Sequence, residues 1–385
     1  MGLDRVRVMS VFGTRPEAIK MAPLVKALEN HENFESIVCV TAQHRQMLDQ
    51  VLNIFDILPN YDLDIMQQFQ TLEGITTRAL AGLGDVMRKA KPDVVLVHGD
   101  TTTTFAGALA AYYNQIKVGH VEAGLRTYNK YEPFPEEMNR KLTGSITDFH
   151  FSPTKLAREN LLKEGVSDKN IFVTGNTVID VLKSTIDDGY KFSVEELNTV
   201  DFRKKRVIAM TAHRRENLGE PLNNICKAVK RIVDEFDDVE VIYAVHKNPA
   251  VREPVFKILG NNPRIHLTEP LDLRDMHNLM NKSYFVMTDS GGLQEEVPSM
   301  GKPVLVLRNV TERPEGIEAG TLKLAGIEEE TIYEMAKELL CDEDVYASMA
   351  QAKNPFGDGF ASERIVEALL YGFGKKKEKP LNFYI

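Results

Sequence analysis

Short runs of β-branched and aliphatic residues alternate with helical patterns along almost the whole chain, and few folds can satisfy that alternation. VRVMSVFG is followed by a helical pattern from Pro16, SIVCVTA by one through Met47 and Val51, and DVVLVHGD by TTTTFAGALAAYY. IKVGHVEAG, FHFSP and NIFVTGN continue the series to about residue 175. Strands that are apolar on both faces and brief connections through helices predict a parallel sheet covered on both sides. Asp187 to Lys205 is polar and weakly periodic, and reads as a passage between units. The alternation then restarts with RVIAMTAH, VEVIYAVH, RIHLTEP, YFVMTDSG and KPVLVLRN, separated by helical patterns over Pro221–Phe236, through Val255 and up to Met280. From Glu328 the pattern is helical, before the lysine-rich tail KKKEKPLNFYI. The expected architecture is α/β, with two Rossmann-like doubly wound domains, residues 1–175 and 176–365, facing a cleft. Ligands of such sheets bind at the carboxyl ends of the strands.

Composition narrows the chemistry. With 385 residues, 43% of them hydrophobic, the chain exceeds what one core usually serves. A net charge of −9 with no basic stripe argues against nucleic acid, and implies that any bound anion is held by a few placed cations. The start, MGLDRVRVMSVFG, lacks the pattern of a signal peptide, and no apolar run reaches the length of a membrane span, so a cytoplasmic protein with no membrane partner is expected. Cys39, Cys226 and Cys341 are odd in number and far apart, which predicts packing thiols rather than a disulfide framework or a zinc ribbon.

Four stretches carry residues suited to chemistry. Between Pro92 and Arg140, Asp100, Glu122 and Glu136 fall at strand ends or on the loop that follows. The HGD and HVE tripeptides there would permit a metal site from His98, Asp100, His120 and Glu122. No recognised zinc spacing occurs, however, and hydrogen-bonded structural histidines are the expectation. In FGTRPEAIKMAP, Gly13 permits a tight turn, Pro16 suits a first helical turn, and Arg15 and Lys20 lie where helix N–H groups already favour an anion. The dinucleotide fingerprint G-x-G-x-x-G is absent, which weakens a nicotinamide-dependent reading. TDSGGLQEE opens a helix after a strand, where Ser290, Gly291 and Gly292 would offer donors to a phosphate and Glu296 could reach a ribose hydroxyl. TAHRREN adds His213, Arg214, Arg215 and Glu216, of which one cation facing the cleft is expected.

FGTRPEAIKMAPL, VTAQHR, VLVHGDTTTT, VGHVEAGLRT, PFPEEMNR, VTGNTVID, TAHRREN, TDSGGLQEE, GKPVLVLR and TERPEGIEAGT together resemble the bacterial non-hydrolysing UDP-N-acetylglucosamine 2-epimerases, in register over roughly residues 5 to 365. The resemblance implies a glycosyltransferase-B-like fold, with a C-terminal helix over 366–385 returning to the N-terminal domain. It implies reversible epimerisation of UDP-GlcNAc to UDP-ManNAc, an isomerase reaction that needs no cofactor and supplies cell-surface polysaccharide or teichoic acid. By matching positions, Asp100, Glu122, Glu136, His213 and Arg140 become catalytic. Arg15, Lys20, Leu271, Met276, Ser290, Gly291, Gly292, Glu296 and Arg313 become contacts to UDP or sugar. Gln43, His44 and Gln46 match a site where relatives bind a second UDP-GlcNAc as activator, although Phe69 stands where Gram-positive relatives often carry Arg. Relatives are typically homodimers. The alternatives are a glycosyltransferase of the same fold and a hydrolysing epimerase.

Overall fold

The first sheet is seven-stranded and wholly parallel, in the order β3-β2-β1-β4-β5-β6-β7. Its strands are β1 (Val6–Phe12), β2 (Phe34–Val40), β3 (Tyr61–Asp62), β4 (Val94–His98), β5 (Lys117–Val121), β6 (Phe149–Ser152) and β7 (Ile171–Val173). The helices between them are α1 (Arg15–Glu29), α2 (Arg45–Ile54), α3 (Leu72–Ala90), α4 (Thr102–Tyr113), α5 (Glu136–Ser145) and α6 (Lys155–Lys163), with α7 (Thr177–Thr185) following β7. The second sheet is six-stranded and parallel, in the order β10-β9-β8-β11-β12-β13. It comprises β8 (Arg206–Thr211), β9 (Val239–Ala244), β10 (Ile265–Thr268), β11 (Phe285–Thr288), β12 (Val304–Val306) and β13 (Leu322–Leu324). Its helices are α8 (Glu220–Glu235), α9 (Pro249–Leu259), α10 (Leu273–Lys282), α11 (Gly291–Glu296), α12 (Pro314–Glu318), α13 (Glu329–Cys341) and α14 (Glu343–Ala350), and α15 (Ala361–Gly372) closes the chain's helical part. This computed structural model describes residues 5–42, 45–67 and 70–384, without the side chain of Gln46.

The two compact units are the residues up to Val181 together with Gly357–Tyr384, and Leu182–Phe356. The first division falls inside α7, past residue 175, and the chain rejoins the first unit at Gly357. The expected terminal helix over 366–385 is instead α15, which begins at Ala361 and packs on α1. Its start has no local capping side chain. Asp180 of α7 supplies the cap, accepting from the N–H groups of Ala361 at 3.1 Å and Ser362 at 2.6 Å, a partner that no local pattern reveals. Beyond Gly372 the tail is not helical. The Phe383 N–H donates to the carbonyl of Val173 and Asn382 accepts from the Val173 N–H, so the tail covers the open side of edge strand β7.

Each central strand is buried on both faces. In the first sheet Met9 and Val11 share one cluster with Val95, Val97, Leu83 and Met87; in the second, Ile208 and Met210 join Tyr243, Val229 and Ile232. The alternation missed β3 and β13, edge strands of two and three residues in which Asp62 and Lys323 break the apolar run. The presumed passage Asp187–Lys205 is not a solvated linker: Phe192 and Leu197 are buried in the second unit's core, and the buried carboxylate of Asp275 accepts from Tyr190 Oη and the Ser193 N–H at 2.9 Å each. Cys39 and Cys226 are buried packing thiols, whereas Cys341, expected to pack, is exposed at the end of α13. Among the described residues no helix is long and apolar enough to cross a membrane.

Candidate functional site

The strand orders put one topological switch point in each sheet, between β1 and β4 and between β8 and β11. There the loops leaving adjacent strands diverge to opposite faces and leave a crevice at the strand ends. Four of the motif stretches emerge at these two points.

In the first unit, β1 runs into a tight turn at Gly13. A Cβ there would lie 2.0 Å from Thr41 Oγ1 and 2.8 Å from Thr103 Oγ1, so no other residue fits. Glu17, on the first turn of α1, is buried, and its carboxylate ties two loops together. Oε2 accepts from the N–H groups of Gly13 at 3.0 Å and Thr14 at 2.8 Å. Oε1 accepts from Thr101 Oγ1 at 2.7 Å and Thr104 Oγ1 at 3.3 Å, in the turn after β4. Burial pushes the Glu17 carboxyl up, against the hydrogen bonds from the Thr101 and Thr14 side chains and from the N–H groups of Gly13 and Thr14. Arg15 is half-buried in the first turn of α1 and has no hydrogen-bond or ion-pair partner among the described residues. A cation there opposes the helix dipole, so its placement suits an incoming anion rather than helix stability.

The carboxylates divide by partner. Asp100 pairs with Arg140 of α5, and its carbonyl accepts from Asn139 Nδ2 at 2.9 Å. Glu122, at φ 63° in the left-handed region that L-residues seldom occupy, pairs with Lys20 and accepts from Asn176 Nδ2 at 2.8 Å. Glu136 opens α5, is half-buried, and has no partner among the described residues. The neighbouring Glu137 is buried. It accepts from the N–H groups of Thr127 and Tyr128, at 3.1 Å each, and from Arg140 at 3.3 Å, so it anchors the loop that leads into α5.

His98, His120 and His150 lie buried on β4, β5 and β6. Burial lowers the first two to about 4 and the third to about 3, so all are neutral at pH 7. His120 Nε2 meets the Gly99 carbonyl at 2.7 Å, a structural hydrogen bond, and His98 Nε2 is 3.8 Å from Glu122. Among the described residues no group of His, Cys, Asp and Glu is arranged to hold a metal.

In the second unit the organising group is Asp289, fully buried after β11. Its Oδ2 accepts from the N–H groups of His213 and Arg214, at 2.7 Å each, and from Asn217 Nδ2 at 3.0 Å. The turn after β8 is thereby fastened to the turn after β11. The His213 ring stacks on His246 at 5.4 Å, with Nδ1 3.4 Å from Asp289; burial lowers its pKa, against the pull of that carboxylate. Ser290 caps α11 without using its hydroxyl, and the N–H groups of Gly291 and Gly292 have no partner among the described residues. A Cβ on Gly291 would stand 3.7 Å from Arg214 Nη2 and 3.8 Å from Arg313 Nη2, so two guanidinium groups converge on these free donors. Arg313 is steered there by an ion pair with buried Glu295. Glu296 is buried one turn into α11.

The Leu271 side chain is buried in the second unit's core, and Met276 packs half-buried against the same cluster. Gln43, His44 and Phe69 lie outside the described residues, as does the Gln46 side chain.

A family model for UDP-N-acetylglucosamine 2-epimerase matches residues 26–370. The chain belongs to the UDP-N-acetylglucosamine 2-epimerase family. It is 60% identical over 381 residues to the Bacillus subtilis UDP-N-acetylglucosamine 2-epimerase, covering 99% of both chains. A crystal structure from Listeria monocytogenes is 57% identical with a TM-score of 0.94, covering 99% of this chain and 100% of that one. The Neisseria meningitidis UDP-GlcNAc 2-epimerase bound to UDP-GlcNAc is 47% identical with a TM-score of 0.82, covering 95% and 100%. The glycosyltransferase SnogD from Streptomyces nogalater, at 15% identity, a TM-score of 0.60 and 94% and 99% coverage, shares the fold alone, which is therefore glycosyltransferase-B-like. This is a family of isomerases.

Sequence reasoning passed over Glu17, Glu137, Asp289 and Glu295, buried carboxylates that hold the epimerase-family motifs in place. A signal existed for the first, since Thr14 to Glu17 is a T-x-x-E capping box. None existed for Asp289, whose partners come from a distant turn.

Proposed function

We propose that the protein interconverts UDP-GlcNAc and UDP-ManNAc by elimination and re-addition. A carboxylate takes the C2 proton while the C1–O bond breaks; the C–H electron pair becomes the C1=C2 bond of 2-acetamidoglucal, and UDP leaves with the C1–O pair. UDP then re-adds at C1, and a proton is delivered to the opposite face of C2. Inversion therefore needs a proton-exchanging group on each face, and a UDP that does not escape.

The unequal pairing of the three carboxylates carries this reading. Glu122, held by Lys20 and Asn176, suits a fixed negative charge that supports the oxocarbenium-like centre. Glu136, without a partner among the described residues, suits proton exchange at C2. Asp100 serves the other face, with Arg140 steering its carboxylate. Arg15, Arg313, Ser290 and the N–H groups of Gly291 and Gly292 stabilise the departing diphosphate, and more strongly as charge accumulates on it. Lys20 orients Glu122, neutral His213 donates a hydrogen bond to the nucleotide sugar, Glu296 accepts from ribose hydroxyls, and the Leu271 main chain and Met276 border the uracil. No cofactor takes part. A second UDP-GlcNAc at Gln43, His44 and Gln46 activates the enzyme, which works as a homodimer and supplies cell-surface polysaccharide.

A proton NMR time course of UDP-GlcNAc in deuterated water tests the reaction. UDP-ManNAc carrying deuterium at C2 is expected. Retention of the C2 proton through turnover would rule out elimination, and free UDP with free sugar would indicate a hydrolysing enzyme instead.

A further inference from the structure

His277 has no assigned part in the site, yet its ring is committed at both nitrogens. It is 1% exposed on α10, with Nε2 3.0 Å from Glu296 Oε2 and Nδ1 2.7 Å from Thr185 Oγ1. The two partners fix the tautomer. The Thr185 hydroxyl can donate to Nδ1, and a carboxylate oxygen accepts from an Nε2–H; the opposite tautomer would aim a ring lone pair at Glu296. The result is a hydroxyl–imidazole–carboxylate relay that ends on the candidate ribose contact. Thr185 is itself held, since Asn278 Nδ2 donates to its carbonyl at 2.8 Å, so the relay is anchored at its far end.

The relay treats the two oxygens of Glu296 differently. Oε2 is occupied by His277. Oε1 has no hydrogen-bond partner among the described residues and lies 3.4 Å from where a Cβ on Gly292 would stand, on the side of the free Gly291 and Gly292 N–H groups. One oxygen is locked so that the other is presented.

We propose that His277 is a positioning residue that sets the preference for a ribonucleotide, by holding Glu296 with Oε1 turned to the ribose hydroxyls. A carboxylate already immobilised loses little freedom when it accepts from a hydroxyl, and a site built around that bond rejects a sugar that lacks it. The inference rests on the reading of Glu296 as a ribose contact. His277→Gln keeps a donor at the reach of Nε2, while His277→Asn keeps an acceptor near Nδ1 and withdraws the donor from Glu296.

The experiment measures kcat and KM for UDP-GlcNAc and its 2′-deoxyuridine analogue with the full-length wild type, His277→Asn, His277→Gln and Glu296→Gln, each checked for folding by circular dichroism. Wild type should prefer the ribonucleotide by about 10- to 100-fold in kcat/KM, as one charge-assisted hydrogen bond allows. His277→Asn should lose most of that preference, chiefly through a raised KM for UDP-GlcNAc with kcat within about threefold. His277→Gln should restore it. Folded His277→Asn that discriminates like wild type, while Glu296→Gln does not, would overturn the role of His277 and leave Glu296 as the ribose contact. Wild type without preference, or Glu296→Gln with unchanged preference, would overturn the reading of Glu296 and the inference with it.

Discussion

Glu17 gives the most direct test of how the first unit's loops are held. Replacing it with Ala leaves the N–H groups of Gly13 and Thr14 without an acceptor, and removes the anion that Thr101 and Thr104 bond. Each buried unmade donor costs roughly 1–3 kcal/mol, and the hydroxyls can turn to other acceptors, so the two N–H groups set a loss of about 2–6 kcal/mol. Removing a carboxylate whose burial is itself unfavourable offsets part of this. The expected net loss for Glu17→Ala is about 2–4 kcal/mol. Glu17→Gln should cost only about 1 kcal/mol, because an amide carbonyl can still accept both N–H groups while its NH2 donates to hydroxyls that reverse. Urea unfolding should report the difference, and amide exchange at Gly13 and Thr14 should locate it, with faster exchange in the Ala variant. An Ala variant within about 1 kcal/mol of wild type, or a Gln variant as damaged as Ala, would refute the claim that this carboxylate clamps the two turns.

Arg15→Ala should lower kcat by about 100-fold or more while the unfolding midpoint barely moves, because the side chain makes no folded-state bond among the described residues and acts on departing charge; an unchanged kcat would remove Arg15 from the site. Asp289→Ala removes the acceptor of three donors, of which the Asn217 amide is buried and the His213 and Arg214 N–H groups are partly open to water, so it should destabilise the second unit by about 1–3 kcal/mol and weaken UDP binding in calorimetry, whereas intact binding would show that the clamp is dispensable. The buried histidines predict an acid limit. Their folded pKa values, about 4 for His98 and His120 and about 3 for His150, lie below the unfolded value of 6.5. The unfolded chain therefore binds more protons, and stability is lost as pH falls from about 6.5 towards 4, with a slope approaching three protons. Urea midpoints at pH 7, 6 and 5 check this; a flat profile would contradict it, and His150→Asn should lower the slope by one proton.

The sequence by itself determined that the chain forms two parallel α/β sheets, because runs such as VRVMSVF and RVIAMT are mostly apolar without a strict polar alternation, and strands buried on both faces need helices on both sides. It also located Asp100, Glu122 and the Ser290–Gly292 turn, since strand ends are visible wherever an apolar run stops. Partnership was not visible, because side chains meet across strands whose order is not their order in sequence. Only the tertiary structure decided that Glu122 pairs with Lys20 and Asp100 with Arg140, leaving Glu136 without a partner among the described residues. Asp62 and Lys323 interrupt the apolar runs of edge strands β3 and β13, and α15 takes its cap from Asp180, far away in the chain. The buried carboxylates Glu17, Glu137 and Asp289 look like surface residues when read one by one. Their burial is possible only because the folded chain brings several donors to each, and this is a property of the assembled loops rather than of any local stretch.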